Sequence, residues 1–339
     1  MAAGGRSTDH RRGKSALFLI GFGWAGLAPH WLQGPLRLAP AITLALLLGG
    51  YTLRTVLLRA FGPASSLADP AVTPPEGEAV SMAPLPPVDV VVAARDEQAV
   101  IGRLVERIAQ LRYPEGQLRL WVIDDASRDR TPQVLAELQE RHTFLRVLRR
   151  EADAGGGKSG ALNLVLQQLQ GRWMFVLDAD ADLQSDTLER LIPYAEQGGW
   201  AAVQLRKAEV NATANWLTRA QAMEMALDAV IQQGRLAVGG VVELRGNGQL
   251  LRRDALISSG GFNEATVTDD LDLSFRLLLD GQPVGLLWDP PVQEEAVLSL
   301  AALFWAGNFI IARAVHGIVP PFGLVFWRWF GAFLILTPF

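Results

Sequence analysis

Three aspartates at every second position, Asp178, Asp180 and Asp182, follow directly on the apolar run Trp173-Met174-Phe175-Val176-Leu177. Such a run reads as a buried strand, and carboxylates just beyond it stand at its exposed carboxyl end. Hard oxygen ligands in that position suit Mg²⁺ or Mn²⁺, which commonly share their coordination with substrate phosphates. An acidic turn ahead of a helix near Ser185 accounts for the same residues without an ion. Acids recur after two other apolar runs, as Arg95-Asp96-Glu97 and as Asp124-Asp125. Carboxylates crowded on one rim repel unless a cation or hydrogen-bond donors stand among them. Three acidic strand ends are therefore hard to attribute to folding alone. Thr268-Asp269-Asp270-Leu271-Asp272 opens a further helix, to about Leu279, with Thr268 as its cap. The helix dipole explains one or two acids in a first turn. A third, facing a cleft, is a candidate general base.

Gly155-Gly156-Gly157-Lys158-Ser159 looks like the end of a phosphate loop of the G-x-x-x-x-G-K-[ST] type. The first glycine of that pattern falls on Ala152, and Asp153 would put a carboxylate beside the phosphates. Both count against a P-loop NTPase. The glycines still allow a ligand close to the backbone, and Lys158 can offer a point charge to a diphosphate. A flexible loop with a solvated lysine is the plainer reading.

The elements that must position these residues alternate from Val88 onward. Val88–Ala93, Leu120–Ile123, Leu145–Leu148, Trp173–Leu177 and Ala201–Leu205 read as strands. Ala99–Leu111, Pro132–Gln139 with Thr131 as N-cap, Gly160–Gln168, Ser185–Glu196 and Asn215–Gln233 read as helices. This order implies an α/β domain on a mostly parallel sheet. Ligands of such sheets bind beyond the carboxyl ends of the strands, where the acids collect.

Half of the 339 residues are hydrophobic and 19% are charged, which suggests membrane segments beside a globular core. Net charge is −4, so nothing global favours nucleic acid. With no cysteine, disulfides, thiolate metal sites and cysteine nucleophiles are excluded. The histidines (His10, His30, His142 and His316) are scattered, against a histidine-rich metal site. Ala16–Leu32 and Leu38–Leu53 carry no charge and each approaches the length of a membrane span. Arg6, Arg11, Arg12 and Lys14 precede the pair, and Arg54 and Arg59 follow it, predicting a hairpin with both flanks cytoplasmic. A pair of buried core helices is the alternative. The expected organisation is a membrane hairpin over 1–61, a Pro- and Ala-rich linker over 62–87, a catalytic domain over 88–295 and a helical tail over 296–339. Asn211-Ala212-Thr213 is a glycosylation sequon that a cytoplasmic domain would not use.

Residues 88–295 resemble the family 2 glycosyltransferases, which have the GT-A fold, a Rossmann-like α/β architecture. The likeness is carried by Ala94-Arg95-Asp96-Glu97, Asp124-Asp125-Ala126-Ser127, Lys158-Ser159-Gly160-Ala161-Leu162-Asn163, the Asp-x-Asp at 178–180 and Thr268-Asp269-Asp270. Glu243-Leu244-Arg245-Gly246-Asn247-Gly248-Gln249 and Thr268–Leu273 are similar to the cyanobacterial-type synthases of β-monoglucosyldiacylglycerol within that family. The resemblance implies transfer of glucose from UDP-glucose to 1,2-diacylglycerol with inversion, at a membrane. It implies that Ala94, Arg95, Asp96, Glu97 and Asp125 hold the uridine, and that Lys158 and Asp178 lie on the nucleotide side. It implies a divalent metal, Mg²⁺ or Mn²⁺, on Asp178 and Asp180, with Asp270 as the base. Gly246, Asn247, Gly248 and Asp269 fall on the acceptor side. A processive polysaccharide synthase of the same family is the alternative enzyme.

After Glu294-Glu295-Ala296-Val297 the family's Gln-x-x-Arg-Trp motif is missing, so weak or absent transfer is expected. Ala301–Phe309 and Phe326-Trp327-Arg328 instead resemble the first helices of EamA-type drug/metabolite transporters. The tail reads as a truncated fusion, with a divergent membrane anchor as the alternative and a transporter fragment as the competing function.

Overall fold

The computed structural model describes residues 85–294 apart from 238, 239 and 267, together with scattered positions between 20 and 53. The chain divides into two units, and the sheet domain lies in the second, Thr55–Val297.

The sheet has seven strands in the order β3-β2-β1-β4-β6-β5-β7. They are β1 (Val88–Ala94), β2 (Leu118–Asp125), β3 (Leu145–Arg150), β4 (Trp173–Leu177), β5 (Ala202–Glu209), β6 (Gln249–Arg252) and β7 (Val284–Glu294). Pairings β1–β2, β1–β4, β2–β3 and β5–β7 are parallel, whereas β6 runs antiparallel to both β4 and β5. The sheet is thus mixed and mostly parallel, as expected. Six strands end on one rim, and the reversed β6 begins there.

The helices are α1 (Ile101–Ala109), α2 (Thr131–Arg141), α3 (Gly157–Leu166), α4 (Thr187–Gln197), α5 (Trp216–Ala237), α6 (Arg253–Ser258) and α7 (Asp269–Leu279). Alternation along the central strands feeds two cores. Val88, Val90 and Val92 of β1 and Trp173, Phe175 and Leu177 of β4 face one cluster with α1, α2 and α4. Val91, Met174 and Val176 face the other, with α3, α6 and α7. Since successive side chains of a strand point to opposite faces, a strand buried on both sides reads as one unbroken apolar run.

Several expectations are corrected. Thr131 does not cap α2; it is the first helical residue, and its hydroxyl accepts the Glu97 amide at 2.8 Å. Thr268 precedes α7, but its side chain makes no capping hydrogen bond. Strands β6 and β7 and helix α6 had no counterpart in the sequence reading. β7 contains Pro290-Pro291, which reads as a loop, yet it pairs with β5 across a register shift between Leu205 and Lys207.

In the first unit a 3₁₀ turn spans Gly34–Leu38, and Trp31, Leu46 and Leu47 are exposed. Among the described residues no helix is long and apolar enough to cross a membrane. The proposed span over 16–32 falls largely outside the described residues and that over 38–53 in part, the linker over 62–87 almost wholly and the tail over 296–339 wholly.

One buried charge anchors the rim opposite the acids. Asp89, fully buried, accepts from Arg119 Nε at 2.6 Å, Trp121 Nε1 at 3.1 Å and the amides of Gln170 and Gly171 at 3.0 and 2.5 Å. Removing it strands these donors, and breaking a buried pair from one side costs about 3 kcal/mol. Asp89→Ala is expected to lower unfolding free energy by about that amount in denaturant titration; a loss below about 1 kcal/mol would show that water replaces the carboxylate.

Candidate active site

The loops after β1 and β2 are stitched together by side chains. Asp96 sits at φ 59°, a left-handed conformation that non-glycine residues adopt at a cost. Its amide donates to Ser127 Oγ at 2.9 Å, and its Oδ1 accepts the amides of Arg128 and Asp129 at 2.7 and 3.3 Å. The Asp96 carboxylate is thus spent on the neighbouring loop. Glu97 is left to face a cleft of about 620 Å³, lined also by Ala94, Arg95, Asp125, Lys158 and Asp178. That volume suits a small-molecule ligand.

Asp125, at the end of β2, accepts Arg150 Nη1 at 2.7 Å. The same guanidinium donates to Gly157 O at 2.9 Å and to Gly155 O. Arg150 is buried and ties the Asp125 carboxylate to the glycine loop, a role no sequence motif signalled. Gly156 has φ 69°, a conformation that favours glycine, and a Cβ there would lie 2.4 Å from Glu264 Oε2 and displace that carboxylate.

Helix α3 then distributes three side chains to three segments. Lys158 Nζ pairs with Asp178 Oδ1 at the end of β4. Ser159 Oγ donates to Asp269 Oδ2 at 2.9 Å. Asn163 Nδ2 donates to Glu264 Oε1 and Phe262 O, both at 2.8 Å. The three acids opening α7 consequently diverge. Asp272 pairs with Arg276 at 2.7 Å, Asp269 holds Ser159, and Asp270 is left facing a second cleft, between β5 and α5. A Cβ placed on Gly246 would have Asp270 Oδ2 at 3.7 Å and Lys158 Nζ at 3.8 Å. Gly246 is therefore the gap across which the base candidate and the lysine meet.

The reversed β6 brings residues 246–248 beside β4. Asn247, fully buried, accepts the Asp178 amide at 3.1 Å and donates to Glu294 Oε2 at 3.0 Å. Gly248 has no space for a Cβ, which would stand 2.5 Å from Val292 Cγ1. Lys207 pairs with the same Glu294 oxygen at 2.9 Å. Asp182, third of the alternating acids, turns away to Arg107 at 2.9 Å and has no part in the cleft.

The remaining acids are under-compensated. Burial, then Asp178 and Glu294, pushes the Asp180 carboxyl above its ordinary range. Burial, then Asp180 and Asp178, does the same to Glu97. Among the described residues Asp178 pairs with Lys158 and Glu294 with Lys207, while Glu97 and Asp180 have no ion pair, and two uncompensated carboxylates match one divalent cation. Among the described residues no three His, Asp or Glu side chains form a ready cage. Two carboxylates opening onto a phosphate-sized cleft fit Mg²⁺ or Mn²⁺ better than a cage would, because such ions usually take one or two carboxylates plus substrate oxygens.

The second cleft, of about 480 Å³, is lined by Lys207, Glu209, Glu224, Asp228, Arg245 and Asp270. Both Glu209 oxygens are buried without a hydrogen-bond partner among the described residues. Burial, then Glu294 and Glu224, raises the Glu209 pKa. Sequence reasoning missed Lys207 and Glu294 because they pair across β5 and β7, and β7 was not recognised; Glu209, at the end of β5, carried no motif.

A family model described as glycosyltransferase like family 2 matches residues 86–304. The chain is 43% identical over 325 residues to a β-monoglucosyldiacylglycerol synthase of Synechocystis sp., covering 96% of this chain and 64% of the relative. It is 51% identical over 224 residues to one from Nostoc sp., covering 66% of this chain and 48% of the relative. The chain thus spans between about half and two thirds of the length of these curated relatives. Among solved structures, a mannosyltransferase from Pyrobaculum calidifontis in complex with GDP-Man and Mn²⁺ superposes with TM-score 0.58 at 21% identity. That match covers 87% of this chain and 81% of the other, and it shows the shared GT-A type of fold.

The carboxylate excess has a measurable sign. Asp180 titrates above its ordinary 3.8 when folded, so its ionisation costs stability only as pH rises past that range. Metal-free Asp180→Asn should melt higher than the parent at pH 7, with the difference vanishing below about pH 4. Mg²⁺ should raise the midpoint of the parent and not of the variant. Equal Mg²⁺ shifts in a differential scanning experiment would remove Asp180 from the cation site.

Proposed function

The chain belongs to glycosyltransferase family 2, and from that we propose that it moves glucose from UDP-glucose to the free hydroxyl of a 1,2-diacylglycerol with inversion. One observation carries the reading. Lys158 and Asp178 line the first cleft and Asp270 the second, and Lys158 Nζ and Asp270 Oδ2 both lie within 4 Å of a Cβ placed on Gly246, so a basic group for a diphosphate and a carboxylate that no cation pairs among the described residues stand on either side of one glycine. The glucose and the diacylglycerol rest on the names of the Synechocystis and Nostoc relatives. A β product from the α-linked donor requires inversion, and a single displacement requires one base opposite the leaving group.

In this reading Asp125 and the Ala94–Glu97 segment hold the uridine, with Arg150 fixing Asp125. Lys158 offers its charge to the diphosphate. Asp178 and Asp180 would hold the divalent cation, which when bound offsets the charge that develops on the departing diphosphate. Asp270 accepts the acceptor's hydroxyl proton as its oxygen attacks C1. The C1–O bond to the diphosphate breaks, and its electron pair leaves with UDP. Gly246, Asn247 and Gly248 frame the gap in which this occurs, and Asp269 fixes the start of α7 through Ser159. The cationic flanks of residues 1–61 support attachment to a membrane with the catalytic domain on the cytoplasmic side.

Incubation with labelled UDP-glucose and diacylglycerol in mixed micelles is expected to give β-glucosyldiacylglycerol only slowly, because the Gln-x-x-Arg-Trp motif is missing; a water-soluble polymer would move the chain to the polysaccharide synthases of the same family. Asp270→Asn should lower kcat by about 10²- to 10⁴-fold, the usual worth of a general base, and leave UDP affinity nearly unchanged. Loss of UDP binding in that variant would take Asp270 out of the role.

A further inference from the structure

Helix α5 (Trp216–Ala237) has two faces. Gln221, Glu224, Asp228 and Gln232 line the second cleft. Trp216, Met223 and Leu227 stand 74%, 68% and 56% exposed, and Ala220 and Ala226 between them are exposed as well. Positions 216, 220, 223 and 227 follow the i, i+4, i+7, i+11 spacing of a single helical stripe. Val210, just ahead of the helix, is 54% exposed and extends the apolar surface. From 216 to 227 the exposed charges on the helix are Arg219 and Glu224, and Glu224 belongs to the cleft wall. A helix facing water normally carries its polar side outward, and this one does the reverse. Contiguous exposed apolar surface of this kind marks an interface.

We propose that this outer face of α5 seats on the surface of a lipid bilayer and so opens the second cleft toward the membrane. The inference rests on the lipid-acceptor reading above, because an acceptor with two acyl chains does not cross water to reach Asp270. Its hydroxyl must enter beside α5 while its chains stay in the bilayer, and the helix that walls the cleft is the one bearing the stripe. Trp216 suits the headgroup level, where tryptophan concentrates. Met223 and Leu227 would enter the acyl boundary, as in helices that lie in the interface plane. Arg219 would meet anionic headgroup phosphates. A second copy of the chain would also cover the stripe, but it would close the side from which the lipid must come.

The absence of cysteine makes the test direct. Met223→Cys in the full chain gives one labelling site for an environment-sensitive fluorophore, and Ala136→Cys, at an exposed position on α2, gives the control. Vesicles of phosphatidylcholine and phosphatidylglycerol with brominated acyl chains should quench the label at 223 several-fold more than the label at 136. Equal quenching at both positions, or none at 223, overturns the proposal. So does a shift at 223 that appears on raising protein concentration without lipid, which would assign the face to a second copy. In activity, the double variant Met223→Glu/Leu227→Glu should lose at least tenfold in transfer to vesicle-borne diacylglycerol. It should keep its rate with a dihexanoyl acceptor in detergent. Glucosylation of diacylglycerol without quenching at 223 would sink the membrane seat and spare the proposed reaction. Quenching at 223 without glucosylation would do the opposite.

Discussion

Repulsion among carboxylates at one rim of the sheet is the constraint around which the rest is arranged. Asp178, Asp180, Glu97 and Glu294 arrive there at or just beyond the ends of three strands, β4, β1 and β7, because six strands run the same way and end together. Two of the four are relieved by lysines, Lys158 on Asp178 and Lys207 on Glu294. The other two carry the strain in their raised proton affinity. A structure under selection for stability alone would have neutralised them or replaced them with amides. Holding them charged and close is useful where a ligand brings its own cation and its own phosphates.

Helix α3 turns that constraint into geometry. Its first residues bind the end of β4, the start of α7 and the 262–264 loop through Lys158, Ser159 and Asn163. None of these partners is near in sequence; the Ser159–Asp269 bond closes a loop of 110 residues. The glycine loop ahead of it is equally fixed, by Arg150 from one side and by the close approach of Glu264 from the other. This rigidity is what separates a site from a cluster of acids, since catalytic groups act only when their own positions are held.

Much of the donor half was legible in the chain. β1, β2 and β4 are continuous apolar runs because they are buried on both faces, and that pattern survives without any knowledge of their neighbours. The acids that end them could be placed on one rim from the alternation of strands and helices alone. The other half was legible only in part, since β5, α5 and the start of α7 could be read but β6 and β7 could not. β6 has only the four residues Gln249–Arg252, too short for a period, and β7 carries two prolines in a run that otherwise pairs well. Arg150 and Glu294 gave no local signal, because their roles exist only through partners on other strands. The acids of α7 illustrate the middle case. Their number was excessive for a helix start, but only the fold reveals that two are consumed by Ser159 and Arg276 and one is spared.

β6 runs against its neighbours and thereby divides the sheet into two cassettes. On one side β1 to β4 carry every residue assigned to the nucleotide. On the other, β5 and β7 with α5 form the walls of the second cleft, where the proposed acceptor would enter. The seam between them is crossed by Asn247, which bonds the Asp178 amide and Glu294, and by Ser159 and Asn163, which bond Asp269 and the 262–264 loop. Chimeras joined at residue 178 and again after 294 would exchange acceptor chemistry while leaving the sugar-nucleotide half intact. A scaffold cut in this way can diversify toward new alcohols without relearning how to hold its donor.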